Sequence, residues 1–478
     1  MLNHTSFTAT KIICTLGPAS DSEKIIEELI KAGMSVARLN FSHGTHAYHR
    51  KLISRVRRVA KKLDQPVAIL QDLSGPKIRV GRIKGGSMEL NDGEQLSIYC
   101  HDIVGEPGQI SAFPANIIPD LKKGEKIFID DGLLRLRVIR AGGDKIEAKV
   151  IKGGLLREHK GINVPDSALS LPSMTRKDEE DLKFGVGQNA DYVALSFVRT
   201  ADDIRKLKAR IRALGADIPV IAKLEKPQAV TNLNEILKET DAVMVARGDL
   251  GIEIPIDQVP AIQKEIISTA NECRIPVITA TQMLESMTDH ISPTRAEVSD
   301  VANAIYDGTD CVMLSAETAT GEYPVESVKM MQAVAATTET RLRESHDPKL
   351  IPGGKARLEL PAAIAQAAVE MAIEIDAKLI ACFTQSGLTA RLVSKQRATV
   401  PIIAYTPQMR SLSRMSLYRG VIPHYLRQLT SVDHMIAKVE ESLKAEGIVE
   451  SGDRLVIVAS APVRAHGDTN MLKLHEVS

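Results

Sequence analysis

Two pairs of charged residues end neighbouring apolar runs, and their chemistry is complementary. Lys223 and Glu225 close Pro219-Val-Ile-Ala-Lys-Leu-Glu-Lys-Pro-Gln228, and Arg247 and Asp249 close Val243-Met-Val-Ala-Arg-Gly-Asp-Leu-Gly-Ile-Glu253. Two carboxylates and an ammonium converging at one place suit a divalent cation, an anionic substrate and an electrophilic lysine. A buried parallel strand reads as a continuous apolar run. Charges where such strands stop belong at the mouth of an α/β sheet or barrel, where active sites sit. A structural ion-pair network is the alternative reading of the same charges.

The elements that must position these charges recur along the chain. Apolar runs at residues 11–15, 36–40, 67–71, 192–197, 220–222, 242–246, 276–280 and 311–315 are separated by helical segments. Eight strands alternating with helices predict a TIM (β/α)8 barrel with right-handed crossovers. A doubly wound sheet would need a GxGxxG turn after an early strand, and none is present. Residues 77–171 break the rhythm: they alternate with period 2 and carry the turns Asn91-Asp-Gly, Asp130-Asp-Gly and Gly142-Gly-Asp. An inserted small β-barrel is expected there, placed to act as a lid. Runs at 379–383, 402–405, 421–425 and 455–459 predict a further α/β domain. The expected division is 1–76 with 172–345 for the barrel, 77–171 for the lid and 346–478 for the C-terminal domain.

Composition narrows the class. The chain has 478 residues, a length that suggests about three domains. A net charge of +1 gives no bulk electrostatic case for nucleic acid or membrane, and 3% aromatics with no Trp argue against base-stacking surfaces. No run nears the ~20 apolar residues needed to span a bilayer. The polar start of the chain predicts no secretory signal. Five scattered cysteines without CxxC spacing fit reduced thiols in a cytoplasm.

Further motifs lie at the other strand ends. They are Ala37-Arg-Leu-Asn-Phe-Ser-His-Gly44, Asp72-Leu-Ser-Gly-Pro-Lys-Ile-Arg79, Thr279-Ala-Thr-Gln-Met-Leu-Glu-Ser-Met287 and the segment from Gly308 to Pro324. With residues 11–20, these closely resemble pyruvate kinase, in order and over essentially the whole chain. The resemblance implies transfer of phosphate from phosphoenolpyruvate to ADP in a cytoplasmic homotetramer. It implies Mg2+, with Mn2+ as an alternative, on Glu225 and Asp249, which are hard oxygen ligands. Lys223 would neutralise charge on the phosphoryl group and forming enolate. Arg38 would clamp phosphate, with Arg79 as a second clamp. Gly248 and Asp249 would bind substrate at a helix start, and Thr281 would stand near the enolate methylene. Ser315 and Glu317 are further candidates for that proton path. Arg79, Lys160, Asn40 and His43 would meet the nucleotide, and Asp131 matches another residue of lid closure.

Two departures from the family pattern alter the expectation. Asn40, Ser42 and Asp72 match the family's K+ ligands, but Lys77 stands where K+-dependent members carry glutamate, and Leu73 where they carry threonine. An ammonium there could take the role of the monovalent ion, so a K+-independent enzyme is expected; Val80 points the same way. The turn Thr384-Gln-Ser-Gly-Leu-Thr389 resembles the family's effector loop, with Thr384, Ser386, Gly387 and Thr389 as phosphate contacts. Leu388 replaces a common basic residue of that loop, and Arg464 and His466 could supply positive charge. A sugar monophosphate, or AMP, is therefore expected as effector rather than fructose 1,6-bisphosphate. A barrel lyase or aldolase forming a pyruvate enolate, and a non-catalytic sugar-phosphate sensor, are the rival readings.

Overall fold

The computed structural model describes residues 7–113, 120–167, 172–345, 359–427, 431–460 and 469–478. Eight parallel strands close a barrel: Lys11–Thr15, Met34–Asn40, Ala68–Asp72, Tyr192–Leu195, Val220–Leu224, Ala242–Ala246, Val277–Ala280 and Cys311–Leu314. They are the first to eighth barrel strands below. Their inward side chains, among them Ile13, Val36, Leu70, Tyr192, Ile221, Met244, Ile278 and Met313, fill the interior as a packed core. The outward ones meet the surrounding helices. Glu23–Ala32 shows how local chemistry sets the helix limits: Ser22 accepts from the Ile25 N–H at its start, and Gly33 at φ +123° ends it.

Between the third and fourth barrel strands stands a closed seven-stranded barrel, with a two-stranded sheet of Ser87–Leu90 and Gly154–Arg157 beside it. The turn read from Asp130-Asp-Gly joins the antiparallel strands Lys126–Ile129 and Leu134–Gly142. Asp130, Asp131 and Gly132 all take positive φ, which Asp and Gly tolerate best. The insert begins its sheet with Ile78–Val80 and ends it with Gly161–Asn163, and these two strands pair.

The C-terminal sheet has the order Val421–Tyr425, Ile402–Thr406, Leu379–Phe383, Arg454–Ala459, Met471–Glu476. The first four strands are parallel and the last is antiparallel. That fifth strand, Met-Leu-Lys-Leu-His-Glu, has no continuous apolar run and was not expected from patterning. Leu417 packs into the barrel-interior cluster, and the Tyr192 hydroxyl donates to the Arg414 carbonyl at 2.8 Å. The C-terminal elements therefore plug the end of the barrel away from the charged strand ends. No helix among the described residues is long and apolar enough to cross a membrane.

Candidate active site

The C-terminal ends of the barrel strands bring four predicted side chains into one buried network. Lys223, in the fifth strand, places its ammonium 2.8 Å from Glu225 Oε1 and 3.3 Å from Asp72 Oδ1. The ammonium also donates to Ser196 Oγ at 2.7 Å, and that hydroxyl donates to the Leu73 carbonyl. Arg38 grips the other oxygen of Asp72, from Nε at 2.8 Å and from the terminal nitrogen Nη2 at 2.6 Å. Its Nη1 donates to Thr15 Oγ1 at 2.9 Å. Ser196 and Thr15 escaped the sequence argument, although each sits where an apolar run ends.

Electrostatics explain why these charges persist under burial. Burial alone would lower the pKa of Lys223, but Asp72 and Glu225 outweigh it and hold the ammonium above its ordinary value. Burial likewise works against the Asp72 carboxylate, yet Lys223 and Arg38 hold it below the usual range. Glu225 goes the other way: burial raises its pKa, Lys223 offsets part of this, and Asp249 raises it further.

The donor set fits a divalent metal. Glu225 Oε2 is held by the Phe197 N–H at 2.8 Å, which fixes the carboxylate. Asp249, in the first turn of the helix Arg247–Glu253, has the Lys77 ammonium 3.9 Å from its Oδ1. Among the described residues no group of three or more His, Cys, Asp or Glu is placed to hold a metal. Two carboxylates with room for substrate oxygens is the arrangement Mg2+ commonly uses.

Thr281 stands at the end of the seventh strand at φ +66°. Its hydroxyl accepts from the Gly248 N–H at 2.8 Å and donates to the Ala280 carbonyl at 2.6 Å. The Ser315 hydroxyl is buried without a hydrogen-bond partner among the described residues, and Glu317 is wholly buried, accepting from the backbone of Leu284 and Ser315. Glu317 thus braces two loops.

Arg247 does not join the reactive cluster, contrary to the sequence reading. Its guanidinium turns away, donating to the carbonyls of Ala280, Thr281 and Gln282 and pairing with Asp300 at 2.6 Å. A planar fork of donors suits a cage of carbonyls better than a mobile substrate. Lys77 also stands apart from its expected neighbours. It approaches Asp249, and makes no hydrogen bond or ion pair with Asn40, Ser42 or Asp72. Leu73 is buried in an apolar cluster.

The nucleotide candidates are spread over the mouth and the insert. Asn40 Oδ1 accepts from the Ser42 N–H, and His43 is exposed. Arg79 donates to the His159 carbonyl at 3.0 Å, beside Lys160. Lys160 pairs with Asp130 at 2.9 Å, in the turn that also carries Asp131. In the C-terminal domain, Thr384 Oγ1 accepts from the Gly387 N–H, and Ser386 Oγ from the Leu388 N–H. The Thr389 hydroxyl is buried against Thr469 at 2.7 Å. Arg464 and His466 lie outside the described residues.

A (β/α)8 barrel with buried cations and paired carboxylates at its mouth, beside an inserted barrel, has the build of a phosphotransferase. The pyruvate kinase barrel-domain family matches residues 7–328, and the pyruvate kinase alpha/beta-domain family matches residues 362–475. Pyruvate kinases of Staphylococcus aureus (strain MRSA252) and Geobacillus stearothermophilus are each 43% identical, over 98% of this chain and 80% of the relative. The crystal structure of a pyruvate kinase from Cryptosporidium parvum superposes with a TM-score of 0.92 at 37% identity, covering 100% of this chain and 98% of that one. The chain belongs to the pyruvate kinase family, whose members are phosphotransferases of glycolysis.

Proposed function

We propose that this protein transfers the phosphoryl group of phosphoenolpyruvate to ADP, giving ATP and pyruvate. The observation that carries the reading is the unbroken chain of charges Arg38–Asp72–Lys223–Glu225, which holds two cations in fixed places at a barrel mouth. Such preorganised charge is what a loose phosphoryl-transfer transition state requires.

Arg38 would bind the phosphate, and Lys223 would balance charge on the phosphoryl group and then on the enolate oxygen. Glu225 and Asp249 would hold Mg2+, or Mn2+ in its place. When bound, the ion supplies Lewis-acid charge at the substrate oxygens. Gly248 gives the substrate close approach, and the Thr281 hydroxyl, or a water it orients, would deliver the proton that turns enolate into pyruvate. Asn40, His43, Arg79 and Lys160 would contact the nucleotide. In this division of labour residues 1–76 and 172–345 carry the chemistry, 77–171 act as lid and 346–478 regulate.

The finer expectations are part of the same proposal. Lys77 makes the enzyme K+-independent, and the turn Thr384–Thr389, with Arg464 and His466, takes a sugar monophosphate or AMP. The working form is a cytoplasmic homotetramer. A lactate-dehydrogenase-coupled assay tests the core of this: pyruvate must form from phosphoenolpyruvate only when ADP and Mg2+ are both present. Pyruvate release without ADP would support a lyase instead, and no turnover at saturating Mg2+ would leave a sensor. Titrating glucose 6-phosphate, ribose 5-phosphate, AMP and fructose 1,6-bisphosphate at subsaturating phosphoenolpyruvate tests the effector. A response to the bisphosphate alone would contradict it.

A further inference from the structure

One short helix touches both hinge segments of the insert. The helix Arg247–Glu253 carries Asp249 in its first turn and Glu253 at its last residue. The chain enters the inserted barrel at Lys77, whose ammonium is 3.9 Å from Asp249 Oδ1. The last strand of the inserted barrel, Gly161–Asn163, ends at Asn163, whose side-chain amide donates to Glu253 Oε1 at 2.7 Å. The two hinge strands are themselves paired, Ile78 opposite Ile162. Glu253 Oε1 also takes the Lys226 ammonium at 2.6 Å, and Lys226 follows Glu225 in the chain.

The Glu253 side chain is 1% exposed, and its second oxygen, Oε2, is buried with no hydrogen-bond partner among the described residues. A buried carboxylate in that state depends on the donors it has, because losing one leaves charge without compensation. If the insert swings and withdraws Asn163, Lys226 alone holds Glu253. The carboxylate then has reason to follow Lys226, carrying the end of the Asp249 helix with it. We infer that Glu253 is a positioning residue that couples the place of the inserted barrel to the spacing of Glu225 and Asp249. This rests on the proposed metal role of those two carboxylates.

The test uses the full-length protein and Mn2+ alone as probe. Mn2+ affinity is read by the loss of the free-ion paramagnetic resonance signal, and hinge contact by hydrogen exchange in Gly161–Asn163. Asn163→Asp sets a like charge against Glu253; Glu253→Gln in the same chain then restores one amide and one carboxylate of unchanged shape. Asn163→Asp is expected to weaken Mn2+ binding about fivefold, within the range of coupling in one network, and to speed exchange at the hinge. The double variant is expected to recover both to within about twofold of wild type. Wild-type Mn2+ affinity in Asn163→Asp, or a loss that the double variant does not recover, overturns the inference. If Asn163→Asp does not fold, Asn163→Ser is measured in its place, with the same direction expected and the same result overturning it. Glu225→Gln separates the two layers of the argument. Should it leave Mn2+ binding intact, the metal reading falls; should it abolish binding while Asn163→Asp does nothing, only the coupling falls.

Discussion

The Gly248 N–H donates to the Thr281 hydroxyl at 2.8 Å, tying the end of the sixth barrel strand to the end of the seventh. A β-branched residue at φ +66° is strained, and it persists here because Arg247 holds the carbonyls of Ala280, Thr281 and Gln282. The hydroxyl is thereby fixed in position. Thr281→Ser keeps both hydrogen bonds and is expected to retain most of kcat. Thr281→Ala leaves the Gly248 N–H without its acceptor and removes the candidate proton path, so kcat should fall about a hundredfold with KM little changed. Steady-state kinetics on the two variants decide it: equal losses would mean that the hydroxyl has no part in the chemistry.

Lys223 neutralises two buried carboxylates at once, so removing it has a structural as well as a catalytic consequence. In Lys223→Met, Glu225 loses its close cation and Asp72 keeps only Arg38. Breaking a buried pair on one side typically costs about 3–5 kcal/mol, so the thermal midpoint should drop clearly while turnover becomes negligible. Added Mn2+ should restore part of the midpoint, because a cation bound to the folded state replaces the missing charge. An unchanged midpoint without metal would show that Lys223 does not compensate those carboxylates.

Strand ends were the most legible part of this chain. Parallel strands buried on both sides are largely apolar, so the charges at Arg38, Asp72, Lys223, Glu225 and Asp249 mark where four of the eight strands reach the mouth of the barrel. Direction was less legible than position. Arg247 and Asp249 lie two apart after the same strand, yet the arginine turns into the scaffold toward Asp300 while Asp249 stays at the mouth. The carbonyls that draw Arg247 away come from a loop some thirty residues later, and no local pattern announces them. Glu253 was invisible for the same reason: its partners Asn163 and Lys226 become neighbours only once the insert is seated. The edge strand Met471–Glu476, with Lys473 and Glu476 among its side chains, lacks the apolar run that identified its neighbours.

Lys77 carries the prediction about monovalent cations. Its side chain is about one-third exposed on a flexible stem at the hinge, with Asp249 at 3.9 Å as its ion-pair partner. A lysine ammonium is a compact point charge that can exchange partners as the insert moves. The wild type is expected to turn over at rates within about twofold in K+-free and K+-containing buffer. Lys77→Glu, which replaces a fixed cation with an anion, should be slow without K+ and recover about tenfold or more with it, the scale of one charge stabilising a transition state. Strong K+ stimulation of the wild type would contradict the assignment.

Lys395 couples the C-terminal domain to the barrel through a buried ion pair, and its titration should be visible in stability. The side chain is 1% exposed, with Nζ 2.6 Å from Asp310 Oδ2 and 2.5 Å from Asn271 Oδ1. Burial pushes its pKa down from 10.5 to about 8, and Asp310 offsets only part of that shift. Below about pH 8 the lysine is protonated in both folded and unfolded chains, so it adds no slope. Between about pH 8 and 10.5 the unfolded chain binds the proton and the folded one does not, so folding is favoured as pH rises. Lys395→Met removes this term and also leaves Asp310 buried with the Val277 N–H as its remaining donor. The variant should therefore melt below wild type at pH 7.5, and the gap should widen from pH 8 to pH 10. A gap that narrows over that interval would mean the ammonium stays charged in the folded protein, with the pair to Asp310 outweighing the cost of burial.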